Sequence, residues 1–175
     1  MKVICISGKA QHGKDTTAEY MLEELASSGK SVLVTHYGGL LKYICKTFFG
    51  WDGNKNKAGR ELLQTVGTDV IRKQNPDYWV EFIADFLKMF PNLWDYVIIP
   101  DCRFPNELDV LREHGLDVTH VRVVRFNFES PLTLEQKNHP SETALDGSIP
   151  DVYIYNQGTL KDLQYEIRHK MGFIF

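Results

Sequence analysis

The sequence lacks any long apolar run, and this absence excludes the classes of protein that depend on one. Among its 175 residues no stretch approaches the length that spans a membrane. The apolar run near the amino terminus is also shorter than the hydrophobic region of a secretory signal peptide. We therefore expect no membrane association and a cytoplasmic location.

Cysteine is scarce as well. The three cysteines are widely spaced, and no two of them have the spacing of metal ligands. An odd number of scattered thiols is typical of a protein in a reducing compartment, where disulfides are rare. The sequence therefore predicts free thiols and no structural metal site, in agreement with a cytoplasmic location.

The sequence has no strong excess of charge of either sign. Its net charge is −3, whereas a protein that binds duplex nucleic acid normally carries a basic face. The guanine-reading motif N-K-x-D is also missing, which argues against a GTPase switch. We therefore expect small-molecule partners and no nucleic-acid partner.

The amino-terminal stretch contains the most informative pattern in the chain. A run of β-branched residues ends at Ser7, and Gly8, Gly13 and Lys14 follow at the spacing G-x-x-x-x-G-K before a helical pattern begins. Glycines let the backbone turn tightly and direct several N–H groups at one anion, and the lysine adds a positive charge. The helix that begins near Lys14 directs its positive end at the same point. The stretch therefore predicts a phosphate-binding loop.

The position after the lysine departs from the usual form of this loop. A Ser or Thr commonly stands there and binds Mg²⁺ through its hydroxyl. Here the residue is Asp15, and Thr16 and Thr17 follow it. Both Asp15 and Thr16 carry an oxygen suited to the metal, and the sequence does not choose between them.

Strands and helices alternate along the chain, beginning with a strand, a helix and a second strand within about 35 residues. The four strands after the first are predicted over residues 31–36, 96–101, 117–125 and 151–155. The strand over 31–36 is predicted to be buried on both sides. Helices are predicted over 14–28, 37–49, 60–73, 77–90, 105–114 and from Thr159 onwards. We predict one domain, residues 1–175, with the three-layer α/β/α fold of P-loop NTPases and five mostly parallel strands.

Two of these helices carry apolar side chains at helical spacing, which predicts a buried face on each. In the helix over 60–73 these residues are Leu62, Leu63, Val66 and Val70. In the helix over 77–90 they are Trp79, Phe82, Ile83, Phe86 and Leu87. Both helices belong to a segment inserted after the second strand.

Asp101 closes the third predicted strand. A carboxylate at the carboxyl end of a strand beside a phosphate loop can hold Mg²⁺ or its water shell. The alternative is that Asp101 caps a helix or a turn. Arg103 follows at the same edge, where its guanidinium could bind a phosphate through two hydrogen bonds or pair with Asp101.

Residues 126–150 show no clear periodicity and contain three prolines. A segment of this length without regular structure is usually functional or disordered. A small P-loop domain with segments inserted after the second and fourth strands fits a kinase that closes over a second substrate. Closure is required because an activated phosphoryl group exposed to water would be hydrolysed. The segment contains His139 and Ser141, which suggest a hydrolase as an alternative, but a nucleophile elbow is missing.

Four segments together resemble the deoxynucleoside monophosphate kinase family known from bacteriophages and bacteria. They are the loop GKAQHGKDTTA, the helix RELLQTVGTDVIRKQNPDYWV, the element VIIPDCRFPNE and the segment HPSETALDGSIPDVYIYNQGTL. The likeness extends over nearly the whole chain, and the G-K-D-T form of the loop is typical of that family. The resemblance implies transfer of the γ-phosphate of ATP to a deoxynucleoside monophosphate, with Mg²⁺.

The resemblance also implies roles for individual residues. The ATP-binding set is Gly8, Ala10, Gln11, His12, Gly13, Lys14, Asp15, Thr16, Asn156 and Gly158, the last two beside the adenine. The metal-binding set is Asp15, Thr16 and Asp101, and the acceptor-binding set is Arg60, Arg72, Trp79 and Arg103. The catalytic set is Lys14, Asp101 and Arg103. Residues 37–90 form the acceptor-binding segment, and residues 126–150 form a lid.

Some alternatives stay open at this point. Trp79 also fits the core face of its helix, and Arg60 and Arg72 lie about 120° apart on a regular helix, so at most one faces the acceptor directly. Animal phosphomevalonate kinases share the G-K-D loop, the Asp-x-Arg element and the Asn-x-Gly turn. A regulatory module that binds ATP without turnover is a third option, supported by Asp15. The sequence leaves open the nucleobase and the oligomeric state, with a homodimer as one option.

Overall fold

The structure, a computed structural model, describes residues 1–174, in which five strands form one sheet. The strands are β1 Lys2–Ser7, β2 Val32–Val34, β3 Tyr96–Ile99, β4 Asp117–Val124 and β5 Val152–Tyr155. Their order is β2-β3-β1-β4-β5, and all four neighbouring pairs are parallel. The loop after β1 therefore leaves the middle of the sheet, at the position where open parallel sheets bind their ligands.

Helices connect the strands. They are α1 Lys14–Ser27, α2 Tyr37–Phe48, α3 Lys57–Gln64, α4 Tyr78–Met89, α5 Asn106–Glu113, α6 Leu134–Asn138, α7 Pro140–Thr143 and α8 Leu160–Ile174. The chain turns away after α1 at Gly29, which adopts a positive φ of 74°, a conformation common where a helix ends. Through residue 174, none of the helices combines the length and the apolar character that crossing a membrane requires.

Both faces of the sheet are covered, because side chains alternate along β1. Val3 and Cys5 pack in a core with buried residues of α2, α4 and α5. Ile4 and Ile6 point to the opposite face and pack with α1 and α8. The predicted three-layer α/β/α architecture is confirmed.

The prediction for β2 is wrong in length and burial. The strand covers three residues, Val32–Val34, instead of 31–36, and all three are half-buried. The reason is the strand order, which places β2 at the edge of the sheet where β3 is its partner. An apolar run alone does not distinguish an edge strand from a central one.

The predicted helix over 60–73 consists of two parts. α3 ends at Gln64, and a π-helix over Thr65–Arg72 follows it directly. The wider winding changes which residues face inward, so that Val66 is buried while Val70 is 46% exposed. The predicted angle between Arg60 and Arg72 therefore does not apply, because it assumed one regular α-helix.

The predicted apolar face of α4 is half correct. Trp79, Ile83 and Leu87 are buried in the core, whereas Phe82 and Phe86 are 47% and 39% exposed. The apolar stripe is wider than the surface that the sheet covers. Sequence periodicity shows that a face is apolar but does not show how much of it another element covers.

The segment over residues 126–150 contains regular structure that the sequence does not predict. It includes the short helices α6 and α7, and Leu145 is buried in the core beside β1. Thr133 and Gln136 form a capping box at the start of α6. The segment is therefore attached to the body of the protein at more than its two ends.

Candidate functional site

The loop between β1 and α1 has the geometry that phosphate binding requires. Gly8 has a φ of 144°, and a Cβ at this position would lie 2.4 Å from the carbonyl oxygen of Val123. Gly13 has a φ of 96°, and its Cβ would lie 2.6 Å from Nδ2 of Asn156. The positive φ disfavours a side chain at both positions, and at Gly8 the Val123 carbonyl also leaves no room for one. The two glycines shape a backbone cradle at the N-terminus of α1.

Lys14 lies inside this cradle. Its Nζ donates hydrogen bonds to the carbonyl oxygens of Gly8 at 2.8 Å and Lys9 at 2.9 Å. Burial, and to a smaller extent the positive charge of Arg103, lower the pKa of Lys14 to about 8. An ammonium group with a lowered pKa in a cleft is typical of a functional site, since a bound anion would stabilise its charge.

A cavity of about 570 Å³ opens beside the loop, and most of the predicted ATP-binding residues line it. They are Gln11, Gly13, Lys14, Asp15, Thr16, Asn156 and Gly158. Asn156 also donates from Nδ2 to the carbonyl oxygen of His12 at 3.0 Å, which ties the end of β5 to the loop. The predicted ATP-binding residues from the two ends of the chain thus meet at one cavity.

The other three predicted ATP-binding residues lie around the loop. Gly8 contacts β4, as described above. His12 faces β4 too, and its Nδ1 accepts from the backbone N–H of Arg125 at 3.2 Å. Burial lowers the pKa of His12, so that its neutral form is favoured. The N–H of Ala10 donates to Glu142 at 2.8 Å and so lies on the side of α7.

Arg125 lines this cavity and a second cavity of about 250 Å³ that adjoins it. Its guanidinium lies 4.5 Å from the centre of the Phe128 ring, a cation–π contact. No role follows for Arg125 from the motifs. Its position at the end of β4, the strand next to β1, was the available signal.

Asp101 caps α2, in line with the second of the two roles predicted for it. Its two carboxylate oxygens accept the backbone N–H groups of Tyr37 and Gly38, each at 2.9 Å. The carboxylate is close enough to Lys14 to affect its pKa. Capping fixes the position of Asp101 at the edge of the cradle and leaves acceptor capacity on both oxygens, since a carboxylate has about four lone-pair sites.

The predicted metal ligands fit a magnesium ion better than a protein-bound transition metal. No group of three or more His, Cys, Asp or Glu side chains within residues 1–174 could hold a metal by itself. Mg²⁺ usually takes one or two protein oxygens and completes its shell with phosphates and water. Asp15 is 81% exposed and Thr16 lines the cavity, so both oxygens are accessible from it.

Arg103 does not pair with Asp101, so that alternative is wrong. Its Nη1 donates to Oε1 of Glu142 at 2.8 Å and to the carbonyl oxygen of Ser141 at 3.3 Å. The second carboxylate oxygen of Glu142 accepts from Ala10, as noted above. Glu142 is therefore a member of the site that sequence reasoning missed, and its place in the segment HPSE was the available signal.

Arg72 and Trp79, two of the residues predicted to bind the acceptor, both make contacts within the protein. Arg72 forms an ion pair with Glu107, which is 1% exposed, and its guanidinium lies 4.2 Å from the centre of the Phe104 ring. Trp79 is 4% exposed and donates from Nε1 to the carbonyl oxygen of Gly67 at 3.2 Å. A side chain buried in this way is not available to stack on a base, which corrects the prediction.

Arg60 differs from these two residues. It is exposed, and its Nε donates to the carbonyl oxygen of Lys55 at 2.9 Å. The structure therefore does not bring the four predicted acceptor-binding residues together at one point. Arg103 is the member that lies against the cradle.

His139 and Ser141 form a local cap, which weakens the hydrolase alternative. The Nδ1 atom of His139 accepts the backbone N–H of Ser141 at 3.2 Å and lies 2.9 Å from its Oγ. The opposite ring nitrogen of His139 lies 2.8 Å from Nε2 of Gln64. These contacts fix the start of α7 against α3.

Solved structures with a similar fold include two small-molecule kinases. The APS kinase of Mycobacterium tuberculosis, in complex with AMPPNP and APS, aligns with a TM-score of 0.52 at 12% identity, covering 98% of this chain and 97% of that one. Shikimate kinase from Aquifex aeolicus aligns with a TM-score of 0.54 at 13% identity, covering 97% and 96%. These similarities support the predicted P-loop kinase fold.

Sequence similarity is more specific. A profile of the family described as deoxynucleotide monophosphate kinase matches residues 40–167, well over half of the chain. The deoxynucleotide monophosphate kinase of Enterobacteria phage T4 is 34% identical over 114 residues, 64% of this chain and 44% of the phage protein. The protein of the same name from Escherichia phage RB69 is 32% identical over 110 residues, 62% and 42% of the two chains. The chain spans less than half the length of these relatives. It belongs to the deoxynucleotide monophosphate kinase family, as its four motifs predict.

Proposed function

We propose that the protein transfers the γ-phosphate of ATP to a deoxynucleoside monophosphate, giving a diphosphate and ADP. The observation that carries this proposal is the half-buried Lys14 in the glycine cradle, with Arg103 close enough to lower its pKa. Two cations that converge on a phosphate loop can offset the charge that develops on a transferred phosphoryl group. Family membership supplies the class of acceptor.

On the donor side, we propose that the cavity of about 570 Å³ holds ATP. Lys14 and the backbone N–H groups between Ala10 and Thr16 bind the phosphates of ATP. Asn156 and Gly158 line the part of the cavity that holds the adenine. The complex of the APS kinase with AMPPNP supports ATP as the donor, because that fold relative binds an ATP analogue.

Magnesium is the metal that we propose for the site. When bound with ATP it supplies charge neutralisation on the phosphates. Asp15 and Thr16 are accessible from the cavity, and Asp101 is fixed at its edge by the α2 backbone. These three residues supply the hard oxygen ligands that Mg²⁺ prefers.

On the acceptor side, we propose that Arg103 binds the phosphate of the monophosphate, with Arg60 as an exposed secondary cation. A general base is not required, because the attacking phosphate oxygen is already ionised at neutral pH. Within one domain, residues 37–90 form the wall of the acceptor site and residues 126–150 cover it. We also propose that the protein works in the cytoplasm, in keeping with its three free thiols.

The test is ADP release from ATP and Mg²⁺ with each of dAMP, dCMP, dGMP and dTMP, their ribose counterparts and phosphomevalonate. Turnover with one or more deoxynucleotides would establish both the class and the substrate. Turnover with phosphomevalonate alone would contradict the proposal, as would binding of ATP without release that depends on an acceptor.

A variant links this activity to the cradle. Lys14→Met should lower turnover by about two orders of magnitude or more, because it removes the positive charge that stabilises the transferred phosphate. Lys30→Met is the matched control, since Lys30 is exposed in the loop before β2. Thermal unfolding of both variants shows whether the fold is retained. Near-normal activity of Lys14→Met would contradict the assignment.

A further inference from the structure

The carboxylate of Glu142 lies against the phosphate-binding loop and Arg103. One oxygen accepts the backbone N–H of Ala10 at 2.8 Å, and the other accepts Nη1 of Arg103 at 2.8 Å. Its negative charge is also close enough to Lys14 to raise the pKa of that residue. The Glu142 side chain is 9% exposed, so these protein groups replace most of its contact with water.

These donors are of the kind that binds a phosphate monoester. A loop N–H group and an arginine are the usual partners of a phosphate oxygen, and both bind carboxylates with the same geometry. A carboxylate and a phosphate cannot occupy the same donors together. The position of Glu142 therefore marks an anion subsite, and Glu142 itself fills it in this conformation.

Further contacts fix α7, the helix that carries Glu142, and the residues that follow it. The Nζ atom of Lys9 donates to the carbonyl oxygen of Glu142 and to Oδ1 of Asp146, each at 2.5 Å. Gln64 contacts His139 on the side of α3, and Arg122 donates to the carbonyl oxygen of Leu145. Residues 139–146, which we call the strap, thus contact four parts of the chain: the loop after β1, α3, Arg103 and β4.

We propose that Glu142 is an internal competitor for the phosphate of the acceptor nucleotide. The subsite formed by Ala10 N–H and Arg103 takes a phosphate monoester dianion, and the strap must release Glu142 before that group can bind. This inference rests on the proposed function for the identity of the ligand. It makes apparent affinity depend on how often the strap is open, because only the open form can bind.

The test is calorimetric titration of the full chain with inorganic phosphate and with each of the four deoxynucleoside monophosphates. Glu142→Gln removes the competing charge while keeping the shape of the side chain. If the open form is populated at about a tenth, this variant should bind each phosphate ligand about tenfold more tightly. The matching deoxynucleosides, which lack the phosphate, should bind both proteins equally.

Glu135→Gln is the control variant. Glu135 is exposed and lies in residues 126–150, the segment that also contains Glu142, and its substitution removes the same charge. It should leave every affinity unchanged. Equal or weaker phosphate binding by Glu142→Gln would overturn the proposal and would indicate that Glu142 only orients Arg103. If Glu135→Gln gave the same gain, a general effect of net charge would explain it and the proposal would also fail.

A second measurement uses the unaltered protein, so it does not depend on the folding of a variant. Phosphate or a monophosphate should increase amide hydrogen exchange at residues 139–146, because ligand binding frees the strap. Slower exchange there would overturn the proposal. Failure of the proposed function would look different from failure of this proposal. It would appear as absence of turnover with every deoxynucleotide, while phosphate still displaced Glu142.

Discussion

The guanidinium of Arg72 donates a hydrogen bond to the carboxylate of Glu107, one of the most deeply buried charged side chains in residues 1–174. The same carboxylate accepts the backbone N–H of Arg103 at 2.6 Å and of Phe104 at 3.1 Å. Glu107 thus connects the π-helix to the loop that carries Arg103. Burial raises the pKa of Glu107, and the charge of Arg72 opposes this effect.

This ion pair predicts that Arg72 acts through stability. Arg72→Met should lower the free energy of unfolding by about 3–5 kcal/mol, because it leaves a buried carboxylate unpaired. Without Arg72, the pKa of Glu107 in the folded state should lie still further above its value in the unfolded state. The loss of stability should therefore be larger at pH 8, where the carboxylate is charged, than at pH 5. Urea unfolding at both pH values measures this. Arg60→Met, which alters an exposed arginine, should change stability by less than about 0.5 kcal/mol.

Gly8 gives a second prediction. Gly8→Ala should destabilise the fold by about 2–4 kcal/mol, because the added Cβ would overlap the Val123 carbonyl and the φ of 144° disfavours any side chain. Gly39→Ala is a matched control in α2, where a Cβ would meet no atom within 4 Å. That variant should be more stable by about 0.5–1 kcal/mol. Equal effects of both substitutions on the thermal midpoint would contradict the geometry of the cradle.

Lys14 predicts how ATP affinity depends on pH. With its pKa at about 8, Lys14 loses its charge as the pH rises from 7 to 9. ATP binding should therefore weaken over this range, and it should be accompanied by proton uptake near pH 8. Titration calorimetry in two buffers with different ionisation enthalpies measures both quantities. Lys14→Met should show weak binding that no longer changes over this range, and the same pH dependence in that variant would assign the effect to another group.

His120 predicts a separate effect of pH on stability. It is 1% exposed and lies 2.7 Å from Oγ of Ser7 at the end of β1. Burial lowers its pKa to about 4, with a smaller contribution from Arg122. Between pH 6.5 and 4 the unfolded state binds a proton that the folded state does not, so stability should decrease as the pH falls, by up to about 3 kcal/mol.

Thermal unfolding across this range measures the effect of His120. His120→Gln should show a weaker dependence on pH than the unaltered protein. His169→Gln alters an exposed histidine of α8 and should keep the original dependence. If the His120 variant kept the full dependence, carboxylates and not this histidine would account for it.

The parts of the site that depend on local sequence could be predicted. The spacing of Gly8, Gly13 and Lys14 defines the loop because each of these residues acts through its own backbone or charge. The α/β/α fold also followed, since alternating strands and helices allow few arrangements. Asn156 required the family resemblance, because nothing in the local sequence links β5 to the first loop.

The contacts between distant segments could not be predicted. Arg103 and Glu142 are 39 residues apart in the chain, and Arg72 and Glu107 are 35 apart. Each arginine had several carboxylates within reach of a plausible fold, and sequence spacing does not rank them. The same limit explains Trp79, whose aromatic ring suits a base or a core equally well until the neighbouring helix is placed.

The position of β1 between β3 and β4 affects how the protein can open. Every residue of the strand from Val3 to Ser7 is buried, and both of its edges are hydrogen-bonded to neighbours. We therefore expect the strand that leads into the phosphate loop to be among the last parts of the molecule to lose its structure, and the strap to detach before it. A protease that cleaves only partially unfolded chain should therefore cut first in the strap, residues 139–146, and leave the phosphate loop intact.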